Sequence, residues 1–362
     1  MLINIQFLRF AAAFMVVMYH ASKHVQATGV DQGALFAAAE SVGFAGVDVF
    51  FVISGFIMFY TTTGARGAPA SLDFFKRRAA RIYSGYWPFF FLAAVVFAWA
   101  RPEHFDASNL LASFFLWPMP LNEILLDVSW TLSYEMYFYL AFSVLLLLGL
   151  RSRLWLLSGI LAAVAVYNLA QHFVWHGFAP ENYYSNTFNS LFYTSPFLLE
   201  FFAGAVLASF AQRGPSRLGW LLLVAGVAGF ALAGGANAWI YEGKIEQGFH
   251  VVPRVLLFGI PSVLLLWGLV NLENHGHEAP ERFILAAGGA SYAIYLSHTI
   301  IFVASMKMGI YQSMQGWSAT AVQSAYLLYC ALIVALSVLY YKILERWLHR
   351  QFRRALGVAA RA

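Results

Sequence analysis

Apolar residues run for membrane-spanning lengths along almost the whole chain, at 4–22, 41–63, 83–100, 129–149, 153–169, 191–210, 217–234, 253–271, 284–304 and 319–343. About 20 consecutive, mostly apolar residues cross a bilayer as a helix, so these runs predict about ten transmembrane helices. A shorter apolar piece, Leu110 to Trp117, ends at Pro118 and Pro120 and is expected at the membrane interface. The two halves show no internal repeat.

Composition agrees with that pattern. The 362 residues are 61% hydrophobic, 18% aromatic and only 11% charged. Soluble domains sit near about 45–50% apolar and about 25% charged. The expected fold is an all-α polytopic integral membrane protein, not a soluble domain. The single Cys330 excludes an internal disulfide and any multi-cysteine metal centre, and reads as a small hydrophobe. Arg9 falls inside the first apolar run rather than before it, so that run reads as a retained helix and not a leader.

Charge sets the orientation. With the N-terminus inside, sixteen of the 22 Lys and Arg residues fall on the inner side, Arg213, Arg217 and Arg361 among them. Five fall outside: Lys23, Arg101, Lys244, Arg254 and Lys307. This bias predicts both termini in the cytoplasm. The organisation expected is a transmembrane domain over 1–346 and a basic cytoplasmic tail over 347–362.

The first run, NIQFLRFAAAFMVVMYHAS, carries Arg9 and His20. Eleven residues at about 100° each bring them to within roughly 20° of one another, about 16 Å apart along the axis. Ala12, Ala13 and Val16 lie between them on that face, small enough to leave room for a ligand. An Arg and an imidazole on one face of a lipid-length helix point to function unless both are merely satisfied structural groups.

Further ionisable residues interrupt the other runs. Asp48 and Ser54-Gly55 stand in GVDVFFVISGF, where the glycines read as contact points between helices. A structural pairing and a catalytic role for Asp48 stay equally open. Lys76, Arg77, Arg78 and Arg81 form a basic cluster assigned to an inner loop. It is either the positive-inside signal alone or a phosphate clamp, with Arg78 and Arg81 able to grip one ligand if helical. Glu135 lies in SWTLSYEMYFY beside Tyr134 and Trp130, Glu200 in SPFLLEFF, and His298 in SYAIYLSH. At about 1.5 Å per residue, His20, Asp48, Glu135 and His298 share one outer-leaflet depth. The outer loops carry Trp117, His172, Trp175, His176, Tyr183, Tyr184 and Tyr241, either an interfacial belt or a platform for a flat polar ligand such as a carbohydrate. His275, His277 and Glu278 lack distant partner ligands and read as solvated, with no metal expected.

The motifs Arg9-x10-His20, GVDVFFVISGF, RRAARI, SWTLSYEMYFY and YLSH, in that order, resemble the membrane-bound acyltransferase-3 family, which includes O-antigen and exopolysaccharide O-acetyltransferases. The likeness covers nearly the whole chain. It departs at Tyr83-Ser84-Gly85, where the family often has a proline. The resemblance implies a multi-pass protein of the bacterial inner membrane that moves an acyl group, in the first instance acetyl from cytoplasmic acetyl-CoA, to a hydroxyl of an exopolysaccharide, O-antigen or lipid-linked glycan. His20 would be the general base, with Glu135 or Asp48 holding its other ring nitrogen. Arg9 would donate to the oxyanion or orient the thiol end of the donor. Arg78 and Arg81 would bind the donor's phosphates, Arg77 and Lys76 would add field, and Ser54 would line the path of the pantetheine arm. His298, Tyr134 and Trp130 would contact the acceptor. A proton-coupled transporter or a flippase of a glycan or acylated intermediate is the rival class, with the His and carboxylates as a proton relay. It predicts repeated halves.

Overall fold

A computed structural model of the chain describes residues 2–175, 188–211, 218–247 and 251–358. His176, Tyr183, Tyr184, Arg213, Arg217 and Arg361 lie outside the described residues. Among those described, all regular structure is helical. In chain order the helices are α1 Ile3–Ala27, α2 Gly33–Val42, α3 Gly46–Tyr60, α4 Ala68–Ala100, α5 Pro102–Ala107, α6 Leu110–Phe115, α7 Trp130–Leu145, α8 Leu150–Phe173 and α9 Phe188–Tyr193. They continue as α10 Phe197–Ala211, α11 Gly219–Ile240, α12 Val251–Arg254, α13 Ile260–Asn274, α14 Glu281–Gly289, α15 Ser291–Lys307, α16 Ile310–Ser313, α17 Ala319–Tyr340 and α18 Arg346–Ala355.

Among the described residues, eight helical stretches are long and apolar enough to cross a membrane. They coincide with eight of the ten apolar runs. The other two runs are helical but shorter: 129–149 gives the 16-residue α7, and 284–304 is broken at Ala290 into α14 and the 17-residue α15. One assignment differs from the sequence reading in a way that matters. The basic cluster is not on a loop, because α4 starts at Ala68 and holds Lys76 to Arg81 within one 33-residue helix. In the basic C-terminal stretch, 346–355 is helix α18, entered through a π-helical turn at Tyr341–Glu345.

The chain divides into two compact units. The first comprises Met1–Arg9, Val47–Phe75 and Tyr137–Leu285. Here α3 and α10 meet backbone to backbone at two glycines. A Cβ on Gly55 would run into the carbonyl of Phe201, and one on Gly204 into the carbonyl of Val52. Neither obstacle is a flexible side chain. Gly55→Ala is therefore expected to cost about 1–3 kcal/mol or more, seen as a lowered midpoint in detergent thermal unfolding. Gly64→Ala, with nothing within 4 Å of its Cβ position, should be near neutral. An unchanged midpoint for Gly55→Ala would refute the contact.

The start of α1 is capped within this unit. The backbone N–H groups of Ile3 and Asn4 donate to the Glu273 carboxylate at 2.7 and 2.8 Å, which places negative charge at the helix N-terminus. Asn4 also donates to the carbonyl of His277 at 2.8 Å and accepts from the Ala279 N–H at 2.9 Å, so it pins the His275–Glu278 loop.

The second unit comprises Phe10–Gly46, Lys76–Met136 and Ala286–Ala362. In it, Cβ atoms on Gly43 and Gly46 would collide with the carbonyls of Met15 and Ala12. Ala12, Ala13 and Val16 are fully or almost fully buried. The small residues between Arg9 and His20 thus admit a neighbouring backbone at Gly46 rather than the ligand expected from sequence. The apolar piece at 110–117 is helix α6, laid along α4. Tyr83 Oη, Tyr86 Oη and Trp87 Nε1 donate to the carbonyls of Phe115, Ser113 and Phe114 at 2.9, 2.8 and 3.1 Å. These donors sit near the middle of α4, so the connection after α4 doubles back along it. Irregular backbone in an apolar setting requires that its carbonyls be satisfied, and three α4 side chains do so.

Candidate active site

The second unit assembles the candidate chemistry. His20 projects from α1 and His298 from α15, and the rings meet with centroids 4.8 Å apart. His298 Nε2 lies 3.2 Å from His20 Nδ1. His298 is fully buried and His20 partly so.

The helix carbonyls settle which nitrogen carries each proton. A carbonyl oxygen can only accept. His298 Nδ1 lies 3.2 Å from the carbonyl of Ile294, one turn back on its own helix, so Nδ1 carries the proton. His298 Nε2 is then the lone-pair nitrogen. His20 Nδ1 faces that nitrogen and the Val16 carbonyl at 2.9 Å, two acceptors, so it must donate. This assignment follows from the hydrogen-bond network. It leaves His20 Nε2 unprotonated, with no protein hydrogen-bond partner among the described residues. An imidazole held in this tautomer by the bond on its other nitrogen is a ready proton acceptor.

Neither ring is hydrogen-bonded to a carboxylate among the described residues. Asp127 and Lys23 are the charged groups that act on His20 through space. Asp127 is itself engaged: His104 Nε2 lies 3.2 Å and Arg101 Nη1 3.8 Å from its carboxylate oxygens. The bond to Asp127 raises the His104 pKa above the ordinary imidazole value, against opposition from burial.

One helix carries the surroundings. Along α15, Tyr292, Tyr295 and His298 recur every third residue. Tyr292 donates to the carbonyl of Ile82 at 3.3 Å and lies under the Arg81 guanidinium, 5.5 Å from ring centroid to charge. Tyr295 donates to the carbonyl of Val128 at 3.0 Å and receives the Thr131 hydroxyl at 3.1 Å. Six residues of helix rise about 9 Å, so the Arg81 contact and the histidine pair are separated by little more than one and a half turns. A further histidine, His24, lies one turn beyond His20, packed on Phe302 at 4.5 Å and hydrogen-bonded to Tyr311. Sequence reasoning missed it, although its i, i+4 spacing from His20 was a readable signal.

The remaining candidates are placed as follows. Glu135 is half-buried on α7 and bonded to neither histidine. Trp130 and Tyr134, on the same helix, touch edge to face at 5.7 Å. Lys76, Arg77 and Arg78 are half-buried on α4. Arg81 donates to Glu345 at 2.6 Å, a carboxylate that is completely buried. Arg9, half-buried on α1, and Ser54, half-buried on α3, belong to the first unit. So does Asp48, and its carboxylate is not offered to an imidazole. Arg254 grips it with Nη2 at 2.7 Å and Nε at 3.2 Å from both oxygens. Arg254, expected as an outer-loop charge, is 5% exposed and Asp48 0%. The Arg254 guanidinium also lies 5.1 Å from the Phe197 ring, and Glu200, 2% exposed, stands close enough to feel both charges.

The pair thus presents one unprotonated ring nitrogen, His20 Nε2, beside a fully buried second imidazole. Residues 2–342 match the acyltransferase domain family, so the chain belongs to the acyltransferase-3 family. It is a multi-pass membrane acyltransferase. Among similar proteins, the exopolysaccharide production protein ExoZ of Rhizobium meliloti is 32% identical over 350 residues, covering 91% of this chain and 99% of that protein. The acyltransferase MdmB of Streptomyces mycarofaciens is 27% identical over 324 residues, covering 81% of this chain and 77% of that one. No solved structure matches.

Proposed function

We propose that this protein transfers an acyl group, acetyl in the first instance, from cytoplasmic acyl-CoA to a hydroxyl of an exopolysaccharide or lipid-linked glycan at the bacterial inner membrane, with His20 Nε2 as the base. The observation that carries this is the histidine pair, whose hydrogen bonds leave that one nitrogen open. The printed role of the Rhizobium relative in exopolysaccharide production supports the acceptor class.

The reaction runs on this chain's own groups. His20 Nε2 takes the proton of the attacking hydroxyl while that oxygen bonds to the thioester carbon. The imidazolium that forms keeps its Nδ1–H on His298 Nε2. Collapse of the tetrahedral adduct breaks the carbon–sulfur bond, and the departing sulfur takes the proton from Nε2. Base catalysis of this kind contributes about 10²–10⁴-fold, and positioning and oxyanion donors supply the rest. Lys76, Arg77 and Arg78 hold the donor's phosphates. Arg81 joins them, since a guanidinium has five donors and Glu345 occupies one face. Trp130 and Tyr134 are acceptor contacts. Both termini are cytoplasmic, supported by the charge bias.

Purified protein in lipid nanodiscs is expected to release free thiol from acetyl-CoA only when a hydroxylated glycan acceptor is present, with ester appearing on the glycan in equal amount. A C-terminal reporter should be active on the cytoplasmic side. Glycan translocation without thiol release would favour the transporter class instead.

A further inference from the structure

Two basic segments far apart in sequence meet in the second unit. The first is Lys76, Arg77, Arg78 and Arg81 on α4. The second is Lys342, Arg346, Arg350, Arg353 and Arg354 at and within α18. Three contacts lock them together. Arg81 pairs with Glu345 at 2.6 Å, Ser84 Oγ lies 3.3 Å from His349 Nδ1, and the Trp87 ring packs 5.3 Å from Phe352. Glu345, His349 and Phe352 stand four and three residues apart, so a single face of the C-terminal helix rests on α4. About 100° round the helix from Glu345 and His349, Arg346, Arg350 and Arg354 recur at every fourth position, all exposed. Glu345 is the only acid in 76–100 or 342–358, and it is buried and committed to Arg81. These two segments therefore carry nine Lys and Arg residues against one acid, itself paired.

We propose that α18 and the basic part of α4 together bind the phosphates of the acyl donor, with Arg346, Arg350 and Arg354 as contacts that lie beyond the family match at residue 342. This rests on the donor reading above. The occupant follows from where the junction leads. Tyr292 lies against Arg81 at the N-terminal end of α15, and His298, which holds His20, follows about 9 Å further along the same helix. A ligand with several phosphates at one end and a reactive acyl group at the other matches charge at one place and chemistry at the other. A lipid headgroup matches only the first. Guanidinium forks suit phosphate oxygens bidentately, and three exposed ones at one-turn spacing can follow a diphosphate and a separate monophosphate.

The test uses full-length protein in nanodiscs of zwitterionic lipid, titrated calorimetrically with CoA and with CoA lacking its 3′-phosphate. Replacing Arg346, Arg350 and Arg354 together by Gln is expected to weaken CoA binding on the order of tenfold or more and to flatten its salt dependence. The loss should fall on KM for the donor rather than on kcat. The same three residues changed to Lys should keep most of the affinity, which separates charge from misfolding. Unchanged CoA affinity in the folded Gln variant would overturn the proposal. So would a result in which only the response to added phosphatidylglycerol is lost, since that assigns the stripe to lipid headgroups. Wild-type protein that binds no CoA would defeat the donor reading and this proposal together. Wild-type protein that binds and transfers, beside an indifferent triple variant, would defeat this proposal alone.

Discussion

Changing His20 to Gln is expected to lower acyl transfer by roughly 10²–10⁴-fold with fold and donor affinity intact. Gln keeps a hydrogen-bond donor and acceptor near the places of the two ring nitrogens but takes up no proton. If His20 were only a satisfied structural group, Gln would restore activity and Ala would lower stability. The single-turnover rate at saturating donor and acceptor separates the two cases, and near-normal transfer by a stable His20→Gln protein rules His20 out as the base. His298→Ala should cost less than His20→Gln. The Val16 carbonyl, 2.9 Å from His20 Nδ1, would still hold the correct tautomer, while the stabilisation of the imidazolium by His298 Nε2 would be gone.

The second large effect is on stability. Asp48→Ala takes from the Arg254 guanidinium, 5% exposed, the carboxylate that accepts its Nε and Nη2 hydrogen bonds. Breaking one side of a buried ion pair costs about 3–5 kcal/mol, so this variant should accumulate poorly or unfold at much lower temperature. Replacing both partners by apolar residues, Asp48→Leu with Arg254→Met, should recover most of that loss, because the desolvation of two charges disappears with the pair. The double variant also decides the role of Asp48. Recovered stability with recovered transfer makes the pair structural. Recovered stability with no transfer would make Asp48 a participant in the chemistry.

The helical class, the positions of most spans and the set of ionisable residues were legible because each depends on local pattern. A run of apolar residues reports its own burial, and Arg9 or His298 stands out against it. The partners were not legible. Depth along a helix follows from counting residues, and it placed His20, Asp48, Glu135 and His298 at one level. Which of them touch depends on how helices lie side by side, and a single sequence carries little of that. Hence His20 was expected to meet a carboxylate and meets His298, while Asp48 meets Arg254. Arg254 was counted with the loops because it follows Pro253 at the edge of a run. The segment VVPRVLLFG nevertheless presents an Arg among apolar residues, the same signal that singled out Arg9. Glu345 was hidden for a similar reason, an acid amid a basic stretch that reads as solvated until α18 folds back onto α4.

With His20 as the base proposed above, its bond to a second imidazole would also set how long the proton is held. In a triad, a carboxylate gives the protonated histidine a contact counter-ion, and the proton can wait there. Here the ring beyond His20 Nδ1 is another imidazole, whose own Nδ1–H is tied to a helix carbonyl. On the proposed role of His20, the proton taken from the acceptor is held without a contact counter-ion, on His20 or across the bond on His298 Nε2, so it should leave with the first strong base that forms beside it, the sulfur of the departing thiol. His20 then acts as a courier and not a reservoir. Each turnover returns it to its starting tautomer with no net exchange with water, and the solvent isotope effect on transfer should report a proton in flight during bond cleavage.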